Sequence, residues 1–255
     1  MQRHSCDANS SVAYVVASVH APGTEKHALV RSRFANSSVP DAVILQAVNG
    51  FNETEVIEVL LGSGLQFHNL SKFVRKWGKL ATFLTKHRML RHQVDNSIPF
   101  QVTFEDDVVA LPPFRHHVQA ACSTHYDGPH PDLVKMSGYA EIFMTSLAGA
   151  RRVLRALHKT GIVKNDDQQL GSSELMGYTV KDRKETPGHR GAWKLARKTN
   201  AGEITATRGM TWHEMAMLRL LTNPAARHMP AYGMPVPLPE LACRYGHNEC
   251  DRRGQ

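Results

Sequence analysis

The feature that most constrains this chain is a repeated switch of hydrophobic period along its first hundred or so residues. Three short runs rich in β-branched and aromatic residues, 13–18 (AYVVAS), 43–47 (VILQA) and 100–104 (FQVTF), are separated by stretches with apolar residues at helical spacing. Short runs of this kind read as strands, the first and third of them buried. Strands joined through helices lie parallel, because a parallel pair needs a long crossover. The expected fold class is therefore α/β: a single Rossmann-like domain with a mostly parallel central sheet flanked by helices. A chain of 255 residues can bury one sizeable core without a second domain.

The punctuation fits this pattern. His20-Ala21-Pro22-Gly23 closes the first run, and residues 24–35 then read as a helix. Asn49-Gly50 is a turn signal after the second run, and Asn52-Glu53-Thr54 opens another helical stretch. From 79 to 94 the residues Leu80, Phe83, Leu84, His87, Leu90 and Val94 recur at three and four positions, which predicts an inward face with Lys86, Arg88 and Arg91 turned to solvent. After the third run, Leu111-Pro112-Pro113-Phe114 stops regular structure, and 123–131 reads as a loop. Residues 133–136 and 141–145 read as strands, and Ser146 can cap a helix carrying Leu147, Ala150, Val153, Leu154 and Leu157. Residues 181–208 are polar and irregular, and Thr211-Trp212-His213-Glu214 is a capping box opening a helix to about Leu221. The boundaries drawn are a disordered N-terminus over 1–11, a domain over 12–222 and a Pro-rich tail over 223–255.

Composition narrows the partners. Thirty-one Lys and Arg against 23 Asp and Glu give a formal charge of +8, which favours an anionic ligand or surface. The basic residues are spread along the chain, which argues against nucleic acid. No run approaches the roughly 18 apolar residues of a membrane span, and the polar start lacks the apolar core of a signal peptide. Cys6, Cys122, Cys243 and Cys250 stand too far apart to suggest a disulfide framework. The expected location is thus cytoplasmic, with a peripheral contact at the cytoplasmic membrane face as one use of the charge. Asn-x-Ser/Thr sequons at Asn9, Asn36, Asn52 and Asn69 then read as chance.

The chemistry is concentrated in Glu105-Asp106-Asp107, directly after FQVTF. Consecutive carboxylates repel one another, and folding tolerates them poorly unless positive charge is close by. Their place at the carboxyl end of a strand is where open α/β sheets bind ligands. Alternation puts Glu105 and Asp107 on one side and Asp106 on the other. Oxygen ligands suit Mg²⁺ or Mn²⁺, held by one or two carboxylates plus substrate phosphates. The bland alternative is a solvated acidic turn.

Several segments carry a resemblance. Arg31-x-x-Phe34, Gln46-Ala47-Val48-Asn49-Gly50, Gly78 to Lys86 (GKLATFLTK) and Phe104-Glu105-Asp106-Asp107, in that order, resemble glycosyltransferase family 25, the lipopolysaccharide-type galactosyltransferases. Tyr139 to Thr145 followed by Ser146-Leu147-Ala148-Gly149-Ala150-Arg151, and then Asp167-Gln168-Gln169-Leu170, extend it over roughly residues 12–175. Within the family's Gly-Glu-x-Gly-Cys-x-x-Ser-His pattern, Gly78 and the hydroxyl of Thr85 match, while Lys79, Ala81, Thr82 and Lys86 depart from it.

The resemblance implies a GT-A fold that moves a sugar from a nucleotide-diphosphate donor, expected to be a UDP-sugar, to a glycan hydroxyl with inversion. It implies Glu105 and Asp107 as ligands of Mn²⁺ or Mg²⁺ bridging the donor phosphates. Ser18, Arg31, Asn49, Gly78, Lys79, Thr82, Lys86 and Asp106 are expected around the donor. Asp167 is the expected general base, with Asp166 as its neighbouring alternative.

Two other classes stay open on sequence: a metal-dependent nuclease or phosphohydrolase, and a non-catalytic nucleotide-sugar-binding relative. Lesser candidates are His189, His213 and His228 as a further metal ligand, Cys243-x3-His247-x2-Cys250 as a zinc site, and Trp77 as a stacking residue. For each of these, surface or core packing is the commoner role.

Overall fold

The structure is a computed structural model and describes residues 5–68, 75–127, 130–138, 141–188, 191–195 and 208–223. The elements follow in chain order: β1 (Val12–Ser18), α1 (Glu25–Ala35), β2 (Val43–Gln46), α2 (Glu53–Ser63), α3 (Trp77–Asp95), β3 (Phe100–Glu105), β4 (Val108–Ala110), α4 (Phe114–Ala121), β5 (Leu133–Lys135), β6 (Ile142–Ser146), α5 (Leu147–Thr160), α6 (Asp166–Leu170), α7 (Ser173–Met176), β7 (Val180–Lys181), β8 (Trp193–Leu195) and α8 (Trp212–Thr222). The three runs that define the fold class are β1, β2 and β3, each within a residue or so of its expected bounds.

Six strands form one sheet in the order β2-β1-β3-β6-β5-β7, and β4 pairs with β8 in a separate ribbon. β1 runs parallel to both β2 and β3, and β5 to β7, while β6 is antiparallel to its neighbours β3 and β5. The expected α/β domain with a mostly parallel sheet flanked by helices is what forms. β1, β3 and β6 are buried along nearly their whole length because helices cover both faces. On one face Trp77, Phe83, Leu84 and Leu90 of α3 pack with residues of α2, α5 and α8. On the other, Tyr14, Phe100, Phe104 and Ile142 pack with Val30 and Phe34 of α1 and Phe114 and Val118 of α4.

The starts of α5 and α8 follow the caps read from sequence, and α1 and α2 are capped in the same way. The side chains of Thr24, Asn52, Ser146 and Thr211 accept backbone N–H groups at the starts of α1, α2, α5 and α8. Thr211 and Glu214 complete the capping box. Residues 114–126, partly assigned to a loop, are helical: α4 runs into a π-helical turn over Cys122–Tyr126. Within the stretch read as irregular, Arg183–Glu185 forms a 3-10 turn and β8 pairs with β4.

Two expectations are corrected at the N-terminus. Residues 5–11 are part of the fold and not a disordered lead, because they are tied down chemically. The Ala8 N–H donates to the side-chain oxygen of Gln119, and the Ala8 carbonyl accepts from the Tyr14 hydroxyl at 2.7 Å and from Arg115 at 3.2 Å. The wide cysteine spacing also misled, since Cys6 and Cys122 form a disulfide across 116 residues of sequence. Such bonds are rare in reducing compartments. No helix among the described residues is long and apolar enough to cross a membrane. The Pro-rich tail from 224 onward lies outside the described residues.

Candidate functional site

The parallel pairing of β1 with β3 brings their carboxyl ends together, with Ala17 opposite Glu105. Ser18 therefore stands beside Asp106, and its hydroxyl donates to the Asp106 carboxylate at 2.7 Å. From the helix over this face, Arg33 of α1 donates to the Asp106 backbone carbonyl. The Asp106 side chain is thus turned toward β1. Glu105 is turned the other way, toward α3, as the alternation of an extended chain requires.

There it meets Lys86. The Lys86 ammonium lies 3.2 Å from Glu105 and 3.3 Å from Asp167, and it also pairs with Asp166. Lys86 was expected on a solvated face, but it is 2% exposed. The cause is that α3 has little free side: it packs against α2, α5 and α6 as well as the sheet. A buried ammonium is tolerated only when paired. Burial works to lower the Lys86 pKa, but the charges of Asp166, Glu105 and Asp167 outweigh it and hold the amine above its ordinary range.

The acids respond in turn. Burial pushes Glu105 up to about 7, with Lys86 opposing the shift and Asp166 and Asp107 adding to it. Burial pushes Asp167 up to about 6, again against Lys86. Asp166 and Asp167 form the first turn of α6, where acids suit the N-terminal end of a helix. The approach to α6 is fixed by Gln169, whose side-chain oxygen accepts the N–H groups of Val163 and Lys164 while its amide donates to the Gly161 carbonyl. Leu170 anchors the same short helix in the core. Asp166 is 1% exposed on its side chain and Asp167 22%, so of the two Asp167 presents the accessible carboxylate, while Glu105, at 35%, is also partly open to solvent.

The remaining expected residues divide into those near this centre and those with another role. Lys79 is close enough to Asp167 for its charge to act on that carboxyl. Thr82, one turn before Lys86, spends its hydroxyl on the Gly78 carbonyl at 2.9 Å. Gly78 is a packing glycine: a Cβ on Gly50 would come within 2.8 Å of the Gly78 Cα, so the β2–α2 turn and α3 touch backbone to backbone. Asn49 shapes that turn, its side-chain oxygen accepting the Phe51 N–H at 3.0 Å. Arg31 is exposed on α1 and is not the α1 arginine that reaches the acidic triplet, which is Arg33. Arg33 takes its place, and the inward spacing Val30, Arg33, Phe34 was the signal that distinguishes the two.

Trp77 is fully buried in the core and does not offer a stacking face. His213 lies on α8, while His189, His228 and the Cys243-to-Cys250 segment fall outside the described residues.

The donor set tests the metal. Glu105, expected as a ligand, has the Lys86 ammonium as its cation, and Asp106 is held by Ser18. Among the described residues no group of three or more His, Cys, Asp or Glu side chains is disposed to hold a metal by itself. Mg²⁺ and Mn²⁺ bind through as few as one or two carboxylates plus substrate phosphates, so a metal at this edge would take part of its ligands from a bound phosphate.

These features define an α/β protein of Rossmann-like topology with an acidic, lysine-centred site at the carboxyl edge of its parallel strands. No protein-family model matches the chain, and no curated protein matches it.

Proposed function

We propose that the chain is a nucleotide-sugar-dependent glycosyltransferase of GT-A type that transfers a sugar, with inversion, to a glycan hydroxyl. The observation that carries this reading is the convergence of Ser18, Glu105-Asp106-Asp107, Lys86, Asp166 and Asp167 at the carboxyl ends of adjacent parallel strands. The sequence resemblance to glycosyltransferase family 25 runs through the same segments.

In the reaction, the bond from the anomeric carbon to the diphosphate breaks, and a bond from the acceptor oxygen to that carbon forms. Asp167 receives the acceptor's proton, since its carboxylate is accessible and its pKa, pushed up to about 6, makes it a better base near neutrality than an ordinary aspartate. Asp166 is too enclosed for this and instead anchors Lys86, which fixes Asp167 and Glu105 in place. Asp107 and the diphosphate oxygens would hold Mn²⁺ or Mg²⁺, which when bound supplies positive charge to the leaving group. Lys79, exposed on the first turn of α3, is positioned to meet a phosphate as a point charge. A UDP-sugar is the donor proposed.

The nuclease reading fits less well, because Lys86 already neutralises the carboxylates that a two-metal site would share. A cytoplasmic location is not part of the proposal, given the Cys6–Cys122 bond.

Heat protection tests the reading. A nucleoside diphosphate among UDP, GDP and dTDP should raise the melting temperature only with Mn²⁺, Asp107→Ala should abolish that rise, and the matching sugar nucleotide should be hydrolysed slowly. Failure of all three to protect with metal present, or cleavage of DNA or RNA without such protection, overturns it.

A further inference from the structure

We propose that Asn9 is an N-linked glycosylation site and that the chain matures in an oxidising, glycosylating compartment. Two independent observations meet in one short segment. The first is the Cys6–Cys122 disulfide, with both cysteines buried and the link spanning the domain from its N-terminal segment to the end of α4. Bonds of this kind form and persist in oxidising compartments and are reduced in the cytosol. Its formation removes two protons and two electrons from the thiols, which a thiol–disulfide oxidant of that compartment accepts.

The second is the presentation of the sequon Asn9-Ser10-Ser11, three residues from Cys6. Asp7 organises a tight turn: its carboxylate accepts the Asn9 N–H at 2.7 Å and the Ser10 N–H at 3.2 Å, and its carbonyl accepts the Ser11 N–H at 3.0 Å. Asn9 is exposed on that turn, and among the described residues its side-chain amide makes no hydrogen bond. An exposed turn in a disulfide-bonded domain is the setting in which an Asn-x-Ser/Thr motif serves as an acceptor.

The other sequons are less free. Asn36 uses its amide nitrogen on the Ser32 carbonyl at 2.9 Å, and Asn52 uses its oxygen to cap α2. Asn69 lies outside the described residues. In the transfer, a bond forms between the Asn9 Nδ2 and the anomeric carbon of a lipid-diphosphate-linked oligosaccharide. The bond from that carbon to the diphosphate breaks, the diphosphate leaves with the electron pair, and the amide nitrogen releases one proton to solvent.

The full chain, expressed behind a cleavable secretion leader in eukaryotic cells and in parallel in a reducing cytosol, tests this. The secreted protein should lose mass on treatment with peptide-N-glycosidase, with Asn9 deamidated by the enzyme, and Asn9→Gln should lose one glycan while still folding and being secreted. Without reductant, its Cys6 and Cys122 should resist alkylation, whereas the cytosolic protein should alkylate at both and melt at lower temperature. A secreted, folded protein with Asn9 unmodified overturns the glycan site. Equal stability of the thiol and disulfide forms overturns the compartment argument.

Discussion

Lys86→Met removes the ammonium at the centre of the site while keeping most of the side-chain volume, and its effect can be worked from the contacts. The ion pairs to Glu105 and Asp167 are 3.2 and 3.3 Å long, and a third joins Asp166. At an effective dielectric of about 20, a unit-charge pair at such distances attracts by about 5 kcal/mol. Against this stands the cost of burying the ammonium itself, so the pairs add far less than their sum. The variant is different in kind, because it leaves Asp166, 1% exposed, with no cation, a change that costs about 3–5 kcal/mol, while Glu105 and Asp167, 35% and 22% exposed, are partly screened by solvent and add less. That is a large share of the roughly 5–15 kcal/mol stability of a domain.

The remedy open to the variant is protonation. Glu105 and Asp167 are pushed up to about 7 and about 6 even with Lys86 present, and without it their carboxyls rise further. Acids whose folded pKa lies above the unfolded value stabilise at low pH and lose that contribution as pH rises through the folded value. Urea denaturation followed by circular dichroism should therefore show the full penalty of Lys86→Met at about pH 8 and a smaller one at about pH 5.5, where the carboxyls can hold protons. A penalty below about 1 kcal/mol at the higher pH, or one that does not shrink on acidification, refutes the account of Lys86 as the buried counter-ion.

Three further outcomes are expected. His87 is buried against His158 at 5.7 Å, and burial, with the charges of His158 and Arg91, lowers its pKa from 6.5 to about 4. The unfolded imidazole takes up a proton below 6.5 while the native one resists, so stability falls between these values by about 3 kcal/mol; urea titrations of His87→Leu should lose that acid sensitivity, and an unchanged pH profile would count against the burial. Replacing Cys6 and Cys122 together by Ser should cost about 2–5 kcal/mol in thermal denaturation, the range for a native disulfide; equal melting of variant and parent would show that the bond adds nothing. Arg33→Met should weaken Mn²⁺-dependent nucleotide protection by loosening Asp106, whereas Arg31→Met should leave it unchanged, and the reverse ranking would restore Arg31 to the site.

The strands were legible because their signal is local. Composition and length mark β1, β2 and β3, and the turn residues after them mark where they stop, so the sheet's parallel core could be read before any contact was known. Caps behaved in the same way, since Ser146 and Thr211 act within three residues of themselves. What could not be read depends on distant segments meeting. Nothing near Cys6 announces Cys122, because the pairing exists only once α4 is laid beside the N-terminal segment. The outward face predicted for α3 assumed water on that side, and α6 supplies carboxylates there instead.

The acidic triplet shows how these two kinds of information combine. Three consecutive carboxylates demanded nearby positive charge on electrostatic grounds alone, and that demand was correct. Local pattern could not say where the charge comes from. For Glu105 it is an ammonium on α3, almost twenty residues earlier in the chain and shared with two aspartates some sixty residues later. Asp106 is held instead by a neutral hydroxyl from β1 on its carboxylate and by a guanidinium from α1 on its backbone carbonyl. Glu105 and Asp106 are therefore satisfied by different layers of the fold, and Asp107, whose charge acts on Glu105, is the member of the triplet assigned to the proposed divalent cation. A test of metal dependence thus turns on Asp107, and a test of architecture on Lys86. The two substitutions should separate: Asp107→Ala is expected to remove nucleotide protection, and Lys86→Met to remove stability first.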